Sequence, residues 1–319
     1  MPVYFPSYNP GFFFRNGHVH TIASYFLRKS KPLNFLRTIL ETTDQDFLAL
    51  DNLIGSNNRC AILVHGLEGS SESSYISSLA LRLKNEDWDV TALNLRGCSG
   101  TDNKLFSSYH SGIVDDIDQV IEKLSQTYKT IALIGFSLGG NLVLKYMGTP
   151  AMHHLSKVNI SAAVSVPCHL SSSSDKLKTW QNYIYSQRFL VSLKEKLSRK
   201  MIAFPGNIST EAFENIKTVR DFDDVYTGPA HGFEDAEDYY TKCSSLFSLK
   251  NIKTPTLLIN AKNDPFLTDL CMPYQEAESN SNLHFYAPQH GGHVGFLPEK
   301  KGNPCQHEIW ILKFLKTYC

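Results

Sequence analysis

From residue 60 onward, apolar positions alternate between two rhythms. Residues 60–64 (CAILV) form a short apolar run ending at His65-Gly66, the pattern of a buried strand followed by a turn. Residues 74–84 carry Tyr75, Leu79 and Leu83 at helical spacing, and 89–95 (DVTALNL) read as a strand. The same pair recurs as a helix over 113–124, with acids in its first turn, then a strand over 130–134 (TIALI) and a helix over 138–147. A strand over 160–166 follows. The rhythm then breaks: residues 168–250 are polar, read as mostly helical and contain no obvious strand. It resumes with strands over 255–261 (PTLLINA) and 283–286 (LHFY), separated by a helix, and closes with a helix over 307–316. Strand-helix alternation predicts an α/β class, with a mostly parallel sheet covered by helices on both faces. The stretch 168–250 reads as a helical lid inserted within one domain spanning 1–319. Residues 1–55 read as an irregular N-terminal extension rich in aromatics and proline.

Composition narrows this little. Hydrophobic residues make up 42% and charged residues 19% of 319 residues, ordinary for a soluble globular protein. Lys plus Arg equals Asp plus Glu at 31 each, so no basic excess points to nucleic acid. The seven cysteines are scattered and form no C-x-x-C pair. That predicts a reducing, cytoplasmic setting and argues against a zinc ribbon. No run of about 18 apolar residues predicts a membrane span, and the N-terminus lacks a signal-peptide pattern.

Candidate chemistry centres on Gly135-Phe136-Ser137-Leu138-Gly139. A G-x-S-x-G pentapeptide is short enough to arise by chance. Here it directly follows an apolar strand and opens an amphipathic helix, the setting a nucleophile elbow needs. The helix N-terminus offers backbone N–H groups to a developing oxyanion. A serine hydroxyl needs a base, and His293, in Gly291-Gly292-His293-Val294-Gly295-Phe296, lies in a glycine-rich loop after the last strand. Its glycines favour it over the nearby His290. Asp264, in Lys262-Asn263-Asp264-Pro265-Phe266, follows the preceding strand and is the candidate orienting acid. It also suits an N-cap before Pro265, and Asp269 is a poorer alternative. The order Ser, Asp, His is that of the α/β-hydrolase fold. The oxyanion donors expected are the backbone N–H groups of Leu138 and of Leu67, in His65-Gly66-Leu67-Glu68-Gly69. Glu68 either caps the following helix or lines the site.

Together with those motifs, Arg15-Asn16-Gly17-His18, Asn94-Leu95-Arg96-Gly97-Cys98-Ser99-Gly100 and Tyr109-His110-Ser111-Gly112 complete the first half of a recognisable pattern. Phe222-Asp223-Asp224, Tyr226-Thr227, His231-Gly232-Phe233 and Asp235-Ala236-Glu237-Asp238-Tyr239-Tyr240 extend it through the second. Nearly the whole chain thus resembles the YheT-type branch of the α/β hydrolases, grouped with eukaryotic abhydrolase-domain esterases and yeast medium-chain ester synthases. The resemblance implies a carboxylic-ester hydrolase with no metal and no organic cofactor. It departs at Asn263, where the family has Asp or Glu, and at His20, where it has Gln.

Three further residues have competing roles. Asp115 completes an H-x4-D pattern but stands where a helix takes a first-turn acid. Arg96 suits either a substrate anion or a structural turn. Cys98 lacks a histidine partner nearby in sequence. The expected reaction is two-step hydrolysis of a small-molecule acyl ester of short to medium chain. The lid and Phe12, Phe13 and Phe14 would line the acyl pocket, unless those phenylalanines are core. An alcohol acyltransferase using the same acyl-enzyme is the alternative, and a non-catalytic binding protein a third. The oligomeric state is left open.

Overall fold

Nine strands form one sheet in the computed structural model, which describes residues 2–28, 33–55, 57–300 and 302–319. The strands are β1 (Val3–Tyr4), β2 (Leu36–Glu41), β3 (Phe47–Leu53), β4 (Arg59–Val64), β5 (Asp89–Asn94), β6 (Thr130–Phe136), β7 (Val158–Val164), β8 (Thr256–Ile259) and β9 (Leu283–Tyr286). Their spatial order is β1-β9-β8-β7-β6-β4-β5-β3-β2. All neighbours are parallel except β3 against β5 and β2 against β3. The central strands are continuous apolar runs because both faces are covered. In β4, Cys60, Ile62 and Val64 enter one core layer, while Ala61 and Leu63 enter the other.

Helices α1 (Gly17–Leu27), α2 (Ser74–Asn85), α3 (Val114–Ser125), α4 (Leu138–Met147), α5 (Leu170–Leu177) and α6 (Tyr183–Ala203) follow in chain order. In α3, Ile117, Val120, Ile121 and Leu124 form the buried stripe, packing with α4 on one face of the sheet. In α2, Ile76, Leu79, Ala80 and Leu83 meet Trp310, Ile311 and Phe314 of the last helix, Gln306–Tyr318, on the other face. Asp115 does sit in the first turn of α3.

Residues before 55 are not irregular. They supply two strands at one edge of the sheet, a two-residue strand at the opposite edge, and α1. β2 alternates only weakly and leaves Leu36 and Ile39 exposed, as an edge strand does, so its pattern carries little signal. Between β7 and β8 the chain is helical, with no strand among the described residues. This insertion has its own apolar cluster of Leu190, Leu193, Leu197, Ile216, Phe222 and Tyr226. No described helix is long and apolar enough to cross a membrane.

Candidate active site

β4 and β6 are adjacent, and the loops leaving their C-terminal ends meet at the point where strand order reverses. Ser137 follows β6 with φ +53° and ψ −120°, a left-handed conformation that non-glycine residues adopt at a cost of roughly 1–3 kcal/mol. The turn is enforced by packing. A Cβ on Gly139 would stand 2.3 Å from the His65 carbonyl oxygen and 2.4 Å from that of Val64. Only glycine there lets α4 start against β4, which aims its N-terminus at Ser137.

Three distant segments converge on that serine. The Ser137 hydroxyl lies 2.9 Å from His293 Nε2. His293 Nδ1 lies 2.9 Å and 3.1 Å from the two Asp264 carboxylate oxygens. The carboxylate can only accept, so the ring proton sits on Nδ1 and Nε2 is free to accept from Ser137. Asp264 is buried, and its Oδ1 also accepts the Phe266 N–H at 2.9 Å. The α-helical N-cap expected of Asp264 is thus replaced by a short turn. His290 and Asp269 are not part of this array. Phe266 lies on His293 with ring centroids 4.2 Å apart.

Leu67 and Leu138 flank Ser137, and both line the cavity in front of it. Neither backbone N–H donates to a protein acceptor among the described residues. The Leu67 loop is held from below by His65. The Leu95 N–H donates to His65 Nε2 at 3.1 Å, so Nδ1 carries the proton and donates to the Gly66 carbonyl at 2.7 Å. It is held from above by Glu68, which accepts from Tyr109 at 2.7 Å, Lys196 at 2.9 Å and Ser192 at 2.5 Å. Glu68 therefore ties the loop to α6 instead of capping α2.

The loop carrying His293 is supported by residues that sequence patterning missed. Val294 and Phe296 both have positive φ, so the loop needs outside support. The Thr21 hydroxyl accepts the His293 N–H at 2.9 Å, and the Ser165 hydroxyl accepts the Val294 N–H at 2.8 Å. Arg28 donates to the Val294 carbonyl at 2.7 Å. Asn263 accepts the Gly292 N–H at 3.0 Å and donates to the Arg15 carbonyl at 2.9 Å. An aspartate there could make only the first of these bonds. Gly17 packs so closely that a Cβ would stand 1.9 Å from the Asn263 carbonyl oxygen. The Arg15-to-His18 motif and α1 are therefore a brace against the Asp264 and His293 loops.

His20 belongs to that brace, accepting the Leu297 N–H at 3.0 Å. Burial pushes both His20 and His65 down to about 4. In the unfolded chain a histidine titrates near 6.5. Below that pH the unfolded chain binds protons the folded chain refuses. Stability is thus complete above pH 6.5 and falls as pH drops toward 4, by up to roughly 3 kcal/mol per histidine. His20→Gln keeps an acceptor for Leu297 and removes one titration. Urea midpoints at pH 7 and 4.5 should show a smaller acid loss for this variant than for the wild type. An equal loss would contradict the role given to His20.

Other candidates are accounted for structurally. Arg96 is 4% exposed and pairs with Asp44 and Asp116, both at 2.6 Å, so its charge is already compensated. The buried Cys98 thiol is pushed up to about 11 by burial, opposite to what a nucleophile needs. Phe12 and Phe13 are exposed and are neither core nor cavity lining. Among the described residues, no group of three or more His, Cys, Asp or Glu side chains could hold a metal ion.

The cavity has a volume of about 130 Å³. Leu170, Leu177, Phe189, Leu193, Leu197 and Phe222 of the insertion supply apolar walls, with Ser137 and His293 at one side.

The sequence profile described as alpha/beta hydrolase fold matches residues 62–300. YheT of Escherichia coli (strain K12), an esterase by name, is 32% identical over 306 residues, covering 93% of this chain and 88% of that protein. Phospholipase ABHD3 of Homo sapiens is 25% identical over 313 residues, covering 93% of this chain and 75% of that one. Among solved structures, the Pyrococcus furiosus esterase Pf2001 superposes with a TM-score of 0.59 at 15% identity, covering 99% of this chain and 98% of that one. The structural likeness speaks to the fold.

Proposed function

This chain belongs to the α/β-hydrolase family, in its YheT-type branch, and from that premise we propose that it is a serine carboxylesterase acting on short- to medium-chain acyl esters. The observation that carries the reading is the Ser137–His293–Asp264 array opening onto an apolar cavity. Relatives named as an esterase and a phospholipase support cleavage of an ester bond.

His293 Nε2 takes the Ser137 proton as the oxygen attacks the ester carbonyl. Asp264 holds the ring tautomer and stabilises the imidazolium. The Leu67 and Leu138 N–H groups bind the tetrahedral oxyanion. Collapse expels the alcohol, which receives its proton from His293. A water then gives its proton to His293 and attacks the acyl carbonyl; collapse releases the acid as His293 returns that proton to the Ser137 oxygen. No step requires a metal or organic cofactor.

The insertion walls give the acyl group its environment, and the cavity volume sets its scale. About 130 Å³ is close to the ~150 Å³ of an engineered apolar cavity that admits a benzene-sized ligand. A short or medium chain fits such a space better than a long one. Two measurements test this. A fluorophosphonate should label Ser137, located by peptide mass. The kcat/KM for nitrophenyl esters should peak at short to medium chains and fall for long ones. Absence of label, or activity that keeps rising with chain length, would overturn the reading.

A further inference from the structure

Two segments beside the cavity expose large apolar side chains. On α1 and the turn before it, Phe12 is 77%, Phe13 78% and Phe26 69% exposed. At the start of α6 and the turn before it, Trp180 is 82% and Ile184 74% exposed. Val19, Ile22 and Phe26 follow one another at i, i+3 and i+7, a single stripe along α1. Ile184 and Val191 fall on an outer stripe of α6, with Arg188 between them.

The stripes share one surface. The Tyr185 hydroxyl donates to the His18 carbonyl at 3.4 Å, and the His18 and Tyr185 rings stack at 5.9 Å. Further along, the Arg188 guanidinium lies 4.3 Å from the centre of the Tyr25 ring. The inner side of α6 meets the active site, since Tyr185 and Phe189 pack on Phe266, which lies on His293.

Charge identifies what this face suits. Residues 5–28 and 176–194 contain no Asp or Glu, although 31 of the chain's 319 residues are acidic. Their exposed cations are Arg15, Lys176, Lys178 and Arg188, whereas Arg28 is buried against the Val294 carbonyl and Lys194 is held by the Phe213 and Ile216 carbonyls. Acidic groups lie at the borders: Asp175, which pairs with Lys178 at 3.4 Å, Glu195, Glu299, which accepts the Asn9 N–H at 2.8 Å, and Glu72 and Asp102, which line a groove with Tyr25 and Arg188. A face meant for another protein would be expected to mix both signs. Exposed Trp, Tyr and Phe, aliphatic stripes and cations along both segments, with acids confined to the rim, are the chemistry of an interfacial surface. We infer that this face docks on the surface of an anionic phospholipid bilayer, with α1 and the start of α6 lying in the headgroup region and the cavity beside them. The binding is a property of the surface and is read independently of ester hydrolysis.

Full-length protein sedimented with phosphatidylcholine vesicles, with and without phosphatidylglycerol, tests this. Binding should appear with the anionic lipid and weaken as salt rises. A variant combining Phe12→Ser, Phe13→Ser, Trp180→Ser and Ile184→Ser should lose at least tenfold in vesicle partitioning. A second variant, Lys176→Glu with Lys178→Glu, should lose binding to anionic vesicles selectively. All six residues are exposed, so hydrolysis of a dissolved short-chain ester should stay within about twofold. Equal partitioning of wild type and the serine variant would overturn the inference, as would no binding to anionic vesicles. A concentration-dependent dimer abolished by the serine substitutions, without vesicle binding, would overturn it in favour of self-association.

Discussion

Ser137→Ala should lower kcat/KM for a nitrophenyl ester on the order of 10⁴–10⁶-fold while leaving the thermal midpoint close to that of the wild type. The expected loss is large because in the proposed mechanism the hydroxyl is the atom that bonds the substrate, and His293 and Asp264 act only through it. Each accelerates a step that no longer exists, so the variant should be nearly as impaired as one lacking all three groups. Stability should hold because, among the described residues, the side-chain oxygen bonds His293 alone, while the unusual backbone at Ser137 is held by neighbours. Alanine bears the same positive φ as serine without further crowding. Retention of most activity would remove Ser137 from the chemistry. Collapse of the thermal midpoint would instead give the residue a structural role.

Asp264→Asn should cost about 10⁴-fold in kcat by a different route. In the native site Oδ1 accepts the Phe266 N–H, and Oδ2 faces His293 Nδ1, both at 2.9 Å. The asparagine oxygen should keep the Phe266 bond, because only an acceptor serves there. Its NH₂ then faces Nδ1 and forces that nitrogen to accept. The ring proton moves to Nε2, pointing at Ser137, and the base can no longer take the serine proton. The substitution conserves shape, so substrate binding should change little. A fall in kcat with KM nearly constant, together with slow fluorophosphonate labelling, would match this route. A proportional rise in KM would point to a distorted pocket.

The features legible from sequence share a short range. The apolar run of 60–64, the helical spacing in 113–124 and the G-x-S-x-G turn each lie within a dozen residues. Their signal is one of backbone geometry: which side chains share a face and where only glycine fits. Asp264 and His293 were legible because each follows a late strand, where a parallel sheet brings its loops to one end. The first 55 residues were misread because edge strands bury little and two-residue β1 has no period. Phe12 and Phe13 were misassigned because hydrophobicity alone does not distinguish a core phenylalanine from one left on the surface.

The chemical inventory and its chain order are read along the chain, so the sequence alone determined the sheet class and nominated the elbow and the three side chains proposed to react. Only the tertiary structure decided how those side chains are held. Thr21, Arg28, Ser165 and Asn263 reach the His293 loop from segments up to 272 residues away. Glu68 meets α6 across 128 residues. A hydroxyl or amide that donates or accepts one such bond has no periodicity and no near neighbour to mark it. Its meaning exists only once folding has brought the distant backbone within 3 Å.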